Sequence, residues 1–263
     1  MARAGPRKAG QPADKANSPY FNIGRAALIN SRLLRVVLAV AVVGLATAVA
    51  FGQEVGYLDL TGPAPHQRVR SPSGGTGGFC GGTEFPKFPE VTLILVSLDK
   101  TVYSIGEDVT FEVRIENSGQ QNIELPWTPD LATLEPNDAT ETYTYLNGVV
   151  VLNLTEPDSQ RYFSVYGYFY GSDRASGTIH KLRPRESVVI RARTKLDFYD
   201  EWWAKKVREV QPLHVRAEPG FMMNSATYVP NEKGDSGSES MTCIPLARKT
   251  ANQIDVLVWA HYN

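Results

Sequence analysis

The chain has few of the residues that build metal centres and catalytic sites. It contains only two cysteines and four histidines in 263 residues. Neither type recurs at the short spacing of metal ligands, so the sequence predicts no metal site. The Gly-rich run at 74–82 lacks the residue order of a phosphate-binding loop, and we therefore predict no cofactor.

A strong overall charge is also absent, because 27 basic and 28 acidic residues leave a net charge of −1. The charges are nevertheless unevenly placed. Residues 1–35 carry seven bases and one acid, or +6, whereas the remainder carries 20 bases and 27 acids, or −7. A basic arm can bind nucleic acid, but an apolar run directly behind it favours a membrane role. We predict no nucleic-acid partner.

The longest hydrophobic run lies at residues 33–52, and the 17 residues from Val36 to Gly52 carry no charge. As a helix those 17 would span about 25 Å, and adding Leu33 and Leu34 brings the length to about the 30 Å of a hydrocarbon core. Arg35 could reach back to the headgroups. The run predicts one transmembrane helix, with a basic segment at 1–32 in the cytoplasm.

The same run has one feature of a cleaved signal, the small-x-small triplet Ala48-Val49-Ala50. Signal cores are usually about 7–15 residues long and follow a short basic segment, whereas the preceding segment here is long. A retained signal-anchor is therefore favoured, and cleavage followed by secretion stays open. Under either reading the body is periplasmic or extracellular.

Residues 53–90 are rich in Gly and Pro without an apolar period, which predicts an irregular, extended spacer. Cys80 lies in this segment and Cys243 lies near the end of the chain. In an oxidising compartment they would form the one intramolecular disulfide that two cysteines allow. The alternative is two unrelated thiols.

Residues 91–263 have the pattern of an all-β domain. Val109, Phe111, Val113 and Ile115 alternate with polar residues, as in a strand with one buried face. Asn147-Gly148 between β-rich runs predicts a tight hairpin. About nine strands separated by turn signals favour an antiparallel two-sheet sandwich. The other predicted strands lie at 91–98, 123–125, 161–171, 186–194, 211–218 and 253–260.

One segment, residues 197–210, departs from the β pattern. Tyr199, Trp203, Val207 and Val210 recur at helical spacing, and acidic residues precede basic ones as the helix dipole prefers. We predict a single short helix lying across the sandwich.

Two stretches of the body resemble bacterial immunoglobulin-like modules. In those modules a strand leads through a Tyr and a Gly-Glu turn into an alternating strand that ends in Asn, and a later Leu-x-Pro turn precedes another strand. The matching residues are Tyr103, Gly106, Glu107 and Val109–Asn117, then Leu182, Pro184 and Ser187–Arg193. The resemblance implies an immunoglobulin-like sandwich over 91–263. It implies no activity, because such folds carry unrelated functions.

One short motif suggests an enzyme. Residues 234–238, Gly-Asp-Ser-Gly-Ser, are similar to the nucleophile segment of trypsin-like serine proteases, with Ser236 as the matching serine. That chemistry needs a histidine base held by a buried aspartate, and the four histidines lie in unrelated contexts. We therefore predict that the chain is not an enzyme, and a hydrolase using Ser236 remains a remote alternative.

A row of aromatic residues provides the candidate interaction surface. Tyr162, Tyr166, Tyr168 and Tyr170 fall on one face of a predicted strand. Tyrosine suits a surface that is apolar yet forms hydrogen bonds, and it is enriched at protein interfaces. Phe198 and Trp202, beside the buried stripe of the predicted helix, complete the set. The alternative is that the tyrosines pack beneath that helix.

These features together predict a membrane-anchored, extracytoplasmic immunoglobulin-like domain that works by protein–protein contact. Its partners would be the lipid bilayer, through residues 33–52, and the proteins of a larger membrane complex in which it is an accessory or scaffold subunit. The alternative is a secreted carbohydrate-binding or adhesion module that uses the tyrosine row to stack on sugar rings.

Overall fold

The structure is a computed structural model. It describes residues 53–63, 88–138, 140–157, 162–197, 201–231 and 237–260, without the side chains of residues 201–204. The predicted basic segment and transmembrane helix, at 1–32 and 33–52, lie outside these ranges. Within the described ranges, no helix combines the length and apolar character needed to cross a membrane.

The described residues form thirteen strands and one α-helix. The helix, α1, spans Glu201–Glu209 and lies between the ninth and tenth strands. The strands are β1 (Gln53–Asp59), β2 (Glu90–Leu98), β3 (Val102–Ser104), β4 (Asp108–Asn117), β5 (Ile123–Pro126), β6 (Tyr143–Thr155), β7 (Tyr162–Gly171), β8 (Ile179–Leu182), β9 (Glu186–Lys195), β10 (Leu213–Val229), β11 (Ser238–Ile244), β12 (Ala247–Thr250) and β13 (Ile254–Trp259).

Most of the strands belong to two sheets. One has five strands in the order β1-β9-β4-β2-β12, and the other has the order β3-β13-β10-β6-β7, with β11 also paired to β10. Strands β5 and β8 form a small third sheet. Three pairs are parallel, namely β1 with β9, β12 with β2 and β13 with β3. The prediction of an all-β fold is confirmed, whereas the prediction that the sheets are antiparallel throughout is wrong at these three pairs.

The core lies between the two large sheets. The predicted inward face of β4 is buried, since Phe111, Val113 and Ile115 are all 0% exposed. They belong to the same apolar cluster as Leu152 of β6 and Val256 of β13, on the opposite sheet. Burying each such side chain contributes about 1.5–3 kcal/mol. The alternation seen in the sequence therefore becomes one wall of a sandwich core.

The helix forms where the sequence predicts it, although its apolar stripe is short. Val207 is fully buried in the inter-sheet core, and α1 packs against β13. Lys206 forms an ion pair with Glu156 at 3.2 Å. Val210, the last residue of the predicted stripe, is 43% exposed. Among the described side chains of this segment, Val207 therefore provides the contact with the core.

The predicted hairpin at Asn147-Gly148 is wrong, because both residues lie inside the continuous strand β6. Gly148 serves close packing instead of a turn. A Cβ at this position would lie 2.5 Å from the Phe169 ring and 2.7 Å from Pro126. Any larger residue would therefore collide with these neighbours, and the missing Cβ lets Phe169 of β7 lie against the β6 backbone.

The predicted spacer at 53–90 is wrong at its beginning. Residues 53–59 form β1, which pairs in parallel with β9, and Leu58 and Leu60 are buried in the core. The register shifts between Glu54 and Gly56, so Gly56, which suggested an irregular chain, lies at an irregularity within a paired strand. The sandwich therefore begins well before residue 91, and residues 64–87 lie outside the described ranges.

The first stretch with the immunoglobulin-like pattern forms a compact corner. The Tyr103 side chain is buried, and its hydroxyl donates to Asp99 Oδ1 at 2.7 Å. Burial and this acidic neighbour raise the pKa of Tyr103. Gly106 has φ 89°, a left-handed conformation that glycine adopts without strain. The corner turns the chain from β3 into β4.

Strand β10 changes partners along its length, and this change positions the candidate site. It pairs with β13 over Leu213–Ala217 and with β11 over Met223–Val229. Among the described residues, 218–222 pair with β6 alone. Pro219 and Gly220 fall in this interval, where a residue without an N–H is tolerated because one side has no ladder. The interval leaves an indentation in the sheet between the ends of β13 and β11.

Candidate binding site

The outer face of the six-stranded sheet is divided into a covered half and an open half. A 3-10 helix at Leu131–Leu134 packs Leu131 and Leu134 against Tyr143 and Tyr145. Asp130 caps this helix by accepting a hydrogen bond from the Ala132 N–H at 3.0 Å. The covered half is therefore a second, smaller apolar cluster rather than a free surface.

The predicted tyrosine row crosses the boundary between these halves. Tyr170 is 1% exposed within the second cluster, so the prediction that it contributes to an interaction surface is wrong. Tyr168 packs against the same cluster, and its ring lies 6.1 Å from that of Tyr166. Tyr162, at the other end, is 53% exposed. The surface is thus formed by the first part of the row.

The open half contains a concave site, which we call the tyrosine cleft, with a volume of about 560 Å³. Tyr162, Ser164 and Tyr166 of β7 line one side. The floor includes Val151 and Asn153 of β6 with Gly220 and Met222 of β10, and the far side includes Cys243, Leu246 and Arg248. A volume of this size is within the range of small-molecule and peptide side-chain sites.

The cleft floor holds an oriented amide. The Ser164 hydroxyl donates to Asn153 Oδ1 at 2.7 Å. This bond fixes which end of the amide is the acceptor, and the Nδ2 group lies over Gly220, where an added Cβ would come within 3.2 Å of it. Nearby, the Glu218 carboxylate accepts a hydrogen bond from Gln253 Nε2. The floor therefore combines apolar surface with one amide and one carboxylate.

The far side of the cleft is formed by the segment that leaves one sheet for the other. Arg248 of β12 donates from Nη1 to the Phe221 carbonyl oxygen at 2.9 Å. Phe221 belongs to the interval of β10 where, among the described strands, β6 is the one partner. Cys243 of β11 is disulfide-bonded. Cys80, the other cysteine of the sequence, lies outside the described residues, so the Cys80–Cys243 pairing stays a prediction.

The helix packs on β13, which is separated from β7 in the sheet by β10 and β6. Phe198 lies outside the described residues, and the Trp202 side chain is not described, so their predicted part in the surface stays a prediction. The alternative, in which the tyrosines pack beneath the helix, stays open for the same reason.

The described residues hold no group of three or more His, Cys, Asp or Glu side chains able to bind a metal ion. Ser236 lies outside the described residues, and labelling by a fluorophosphonate remains the test of the hydrolase alternative. His180 stacks on Trp127 with ring centroids 4.5 Å apart, and burial lowers its pKa. Its buried Nε2 has no hydrogen-bond partner within the described part of the chain.

Sequence reasoning identified only the β7 side of the cleft. Asn153, Glu218 and Arg248 come from three other strands and are spread over about 95 residues of the chain. Their convergence depends on strand order and on the partner change of β10. The one local signal was Pro219-Gly220, which interrupts an alternating run and marks the indentation.

No protein-family model matches the chain, and no curated protein matches it. Among solved structures, the sporulation control protein Spo0M of Bacillus subtilis is similar over 65% of this chain and 50% of that one, at 12% identity and TM-score 0.25. An alkylpurine DNA glycosylase of Pseudomonas fluorescens is similar over 65% of this chain and 31% of that one, at 8% identity and TM-score 0.27.

A CARDB domain from Pyrococcus furiosus is similar over 66% of this chain and 96% of that one, at 13% identity and TM-score 0.23. This chain thus spans half or less of the first two structures. Likeness at these TM-scores identifies no family and transfers no activity. The mostly β fold rests on the strand pairing of the chain itself.

Proposed function

We propose that this chain is a membrane-anchored, extracytoplasmic immunoglobulin-like domain that binds another protein through the tyrosine cleft, as an accessory or scaffold subunit of a membrane complex. The observation that carries the proposal is the cleft itself. It joins the exposed ring of Tyr162 and the half-buried ring of Tyr166 to an amide held in place by a hydrogen bond. Aromatic groups that also form hydrogen bonds are typical of the energetic centre of interfaces.

The strand order supports the immunoglobulin-like part of the proposal. Strands β13-β10-β6 have the order G-F-C of an immunoglobulin sandwich, with β7 in the place of the strand that follows C. In the facing sheet, β2-β4-β9 have the order A-B-E. Strand β1 and the β11–β12 excursion are additions to that plan, and the β11–β12 excursion forms one side of the cleft.

The extracytoplasmic location is supported by two features. The sequence has an apolar run behind a +6 segment and ahead of a −7 remainder, the charge order of a chain with its start in the cytoplasm. The disulfide at Cys243 adds a chemical argument, because disulfides persist mainly in oxidising compartments.

The proposal is tested by cross-linking the full chain in its native membrane and purifying it in mild detergent. Tyr166→Ala and Met222→Lys alter the cleft, since Met222 is 39% exposed on its floor. Tyr57→Ala is the matched control, because Tyr57 is 49% exposed on the five-stranded sheet. We expect the amount of captured partner to fall at least tenfold in both cleft variants. Tyr57→Ala should capture as much as the unaltered chain. Equal capture by all variants would exclude the cleft as the contact.

A secreted carbohydrate-binding module is the second candidate, favoured by the composition of the cleft. An aromatic ring at Tyr166 beside the Asn153 amide and the Glu218 carboxylate offers a stacking surface with hydroxyl-binding groups. Binding of the full chain on a glycan array, lost in Tyr166→Ala and Asn153→Ala, would favour this candidate over the first. The absence of any glycan signal would exclude it.

A further inference from the structure

Strand β7 is an edge of the six-stranded sheet, and part of that edge is already used. At one end, the Tyr170 N–H donates to the Thr128 carbonyl oxygen at 2.7 Å and the Thr128 N–H donates back at 2.9 Å. From Tyr162 to Tyr166, the described part of the chain pairs with β7 only through β6, on the inner side. Among the described residues, the outer side of Tyr162, Ser164 and Tyr166 can therefore accept another strand.

The direction of the backbone groups along this edge follows from the Thr128 bridge. Hydrogen-bonding direction alternates along a strand, and Tyr170 directs its N–H and C=O away from β6. Tyr162, Ser164 and Tyr166 have the same parity and therefore direct theirs away from β6 as well. The residues that line the tyrosine cleft with their side chains thus also carry the outward backbone groups.

The composition of β7 distinguishes it from the other edges. Its ten residues, Tyr-Phe-Ser-Val-Tyr-Gly-Tyr-Phe-Tyr-Gly, include no charged residue and no proline. Among the described strands at the other edges, β3 is only three residues long and the rest carry a charge. Those charges are Glu54 and Asp59 of β1, Glu124 of β5, Lys181 of β8, Glu239 of β11, and Arg248 and Lys249 of β12.

Charges and short lengths are the devices that keep sheet edges from pairing with other chains. Strand β7 has neither device over ten residues, and seven of the ten are Tyr, Phe or Val, which favour strands. An edge with these properties is suited to strand addition, in which main-chain hydrogen bonds supply the affinity.

We propose that the β7 edge pairs antiparallel with the β7 edge of a second copy of this chain, about a two-fold axis through Ser164. The sequence around Ser164 is close to a palindrome, with Tyr162 and Tyr166 two residues away and Phe163 and Val165 beside it. Two-fold pairing places Tyr162 of one copy opposite Tyr166 of the other. Aromatic pairs opposite each other across strands stabilise a sheet, and self-complementary contacts of this kind are the commonest oligomer interface.

The pairing joins the two six-stranded sheets into one sheet that crosses both copies. A two-fold axis through paired antiparallel strands is perpendicular to the sheet, so the tyrosine clefts of both copies open on the same side. The dimer goes beyond the proposed function, since it does not depend on what the cleft binds. It would present two clefts to one partner, which raises the avidity of any ligand with two matching sites.

Disulfide trapping of the full chain in mild detergent tests the pairing directly. In Ser164→Cys the two introduced thiols face each other at the axis, and antiparallel partners bring Cα atoms to about 4.5–5.5 Å, within disulfide range. Ser240→Cys is the matched control, a serine on β11. We expect mild oxidation to give at least tenfold more 164–164 linked peptide than 240–240 linked peptide. Equal yields would overturn the proposal.

A second pair of variants separates the backbone from the side chain. Ser164→Pro removes the outward N–H from an edge position, which strands tolerate, whereas Ser164→Ala removes only the hydroxyl. We expect the dimer seen by sedimentation to be lost in Ser164→Pro and retained in Ser164→Ala. Retention in both, or a monomer in the unaltered chain, would overturn the proposal.

The proposed dimer and the proposed function can be disproved independently of each other. Met222→Lys alters the cleft floor on β10 and leaves the β7 edge unchanged, so it should keep the dimer while losing the cleft partner. If the Ser164→Cys variant cross-links to a different protein and gives no 164–164 product, the edge belongs to that protein and self-pairing is overturned.

Discussion

The side-chain amide of Asn117 donates a hydrogen bond to the carbonyl oxygen of Leu182 at 3.0 Å. Asn117 ends β4 and is fully buried, and Leu182 ends β8 just before the turn into β9. The same Nδ2 donates to the Gln121 carbonyl at 2.7 Å, and Oδ1 accepts from the Gly119 N–H at 3.1 Å. The two stretches that resemble immunoglobulin-like modules are therefore joined by one side chain.

Replacing Asn117 by Ala should lower the free energy of unfolding by about 3 kcal/mol, because three hydrogen bonds are lost and buried carbonyl groups are left without donors. Urea denaturation followed by tryptophan fluorescence measures this change. Ser118→Ala, at the exposed neighbouring position, should stay within about 0.5 kcal/mol of the unaltered chain. A similar small loss in both variants would contradict the role given to Asn117.

Gly148→Ala should destabilise the sandwich by about 1–3 kcal/mol through overpacking, since the added methyl meets the Phe169 ring and Pro126. Gly62→Ala is the matched control, because an added Cβ there has no atom within 4 Å. Thermal unfolding of both variants tests the difference. Adding Phe169→Leu to Gly148→Ala should restore part of the loss, and the absence of any coupling between the two changes would contradict the steric explanation.

Acidification should weaken the fold through His180. Burial lowers its pKa from the usual 6.5, although Glu186 acts in the opposite direction. The unfolded chain therefore binds the proton more readily, so this contribution to stability is present above pH 6.5 and declines as the pH falls below it. The fall in unfolding free energy from about pH 8 to about pH 5 should be larger for the unaltered chain than for His180→Gln. Parallel pH profiles would contradict the prediction.

Cys80→Ser, Cys243→Ser and the double variant should have equal unfolding free energies, if the two thiols form one bond. The loop they would close is long, and chain entropy sets an upper bound of about 5 kcal/mol on the loss. Urea denaturation of the three variants, with a non-reducing peptide map of the unaltered chain, tests the pairing. Additive losses from the two single variants would show that the cysteines act separately.

The strands and the helix could be predicted where a local period reports burial. In β4 the apolar residues of the alternating pattern are the buried ones. The uncharged run at 162–171 forms β7. Val207 of the predicted apolar stripe lies on the side of α1 that faces the core. The exceptions are positions where glycine has a packing role. Gly148 lies within a strand although the sequence there predicts a turn, and Gly56 lies at a register shift of β1 although the sequence there predicts a spacer.

The missed strands lack such a period for a physical reason. Strand β12 is short, polar and mostly exposed, and the residues of β11 are either exposed or half-buried, so neither strand has a fully buried face to create a pattern. Strand β10 extends through Pro219-Gly220, a dipeptide that usually ends a strand. The tyrosine cleft is formed by these same segments, and for that reason the sequence revealed one side of it and not the others.

The placement of β1 has a consequence for how the chain can be divided. Residues 64–87 connect two strands of one sheet, β1 and β2, so a protease that cuts there severs the covalent chain without removing either strand from its partner. The leading fragment, which carries the apolar run, would stay docked through β1, because six of its seven residues pair with β9. A nicked molecule would therefore migrate as one particle under native conditions and as two polypeptides once denatured and reduced.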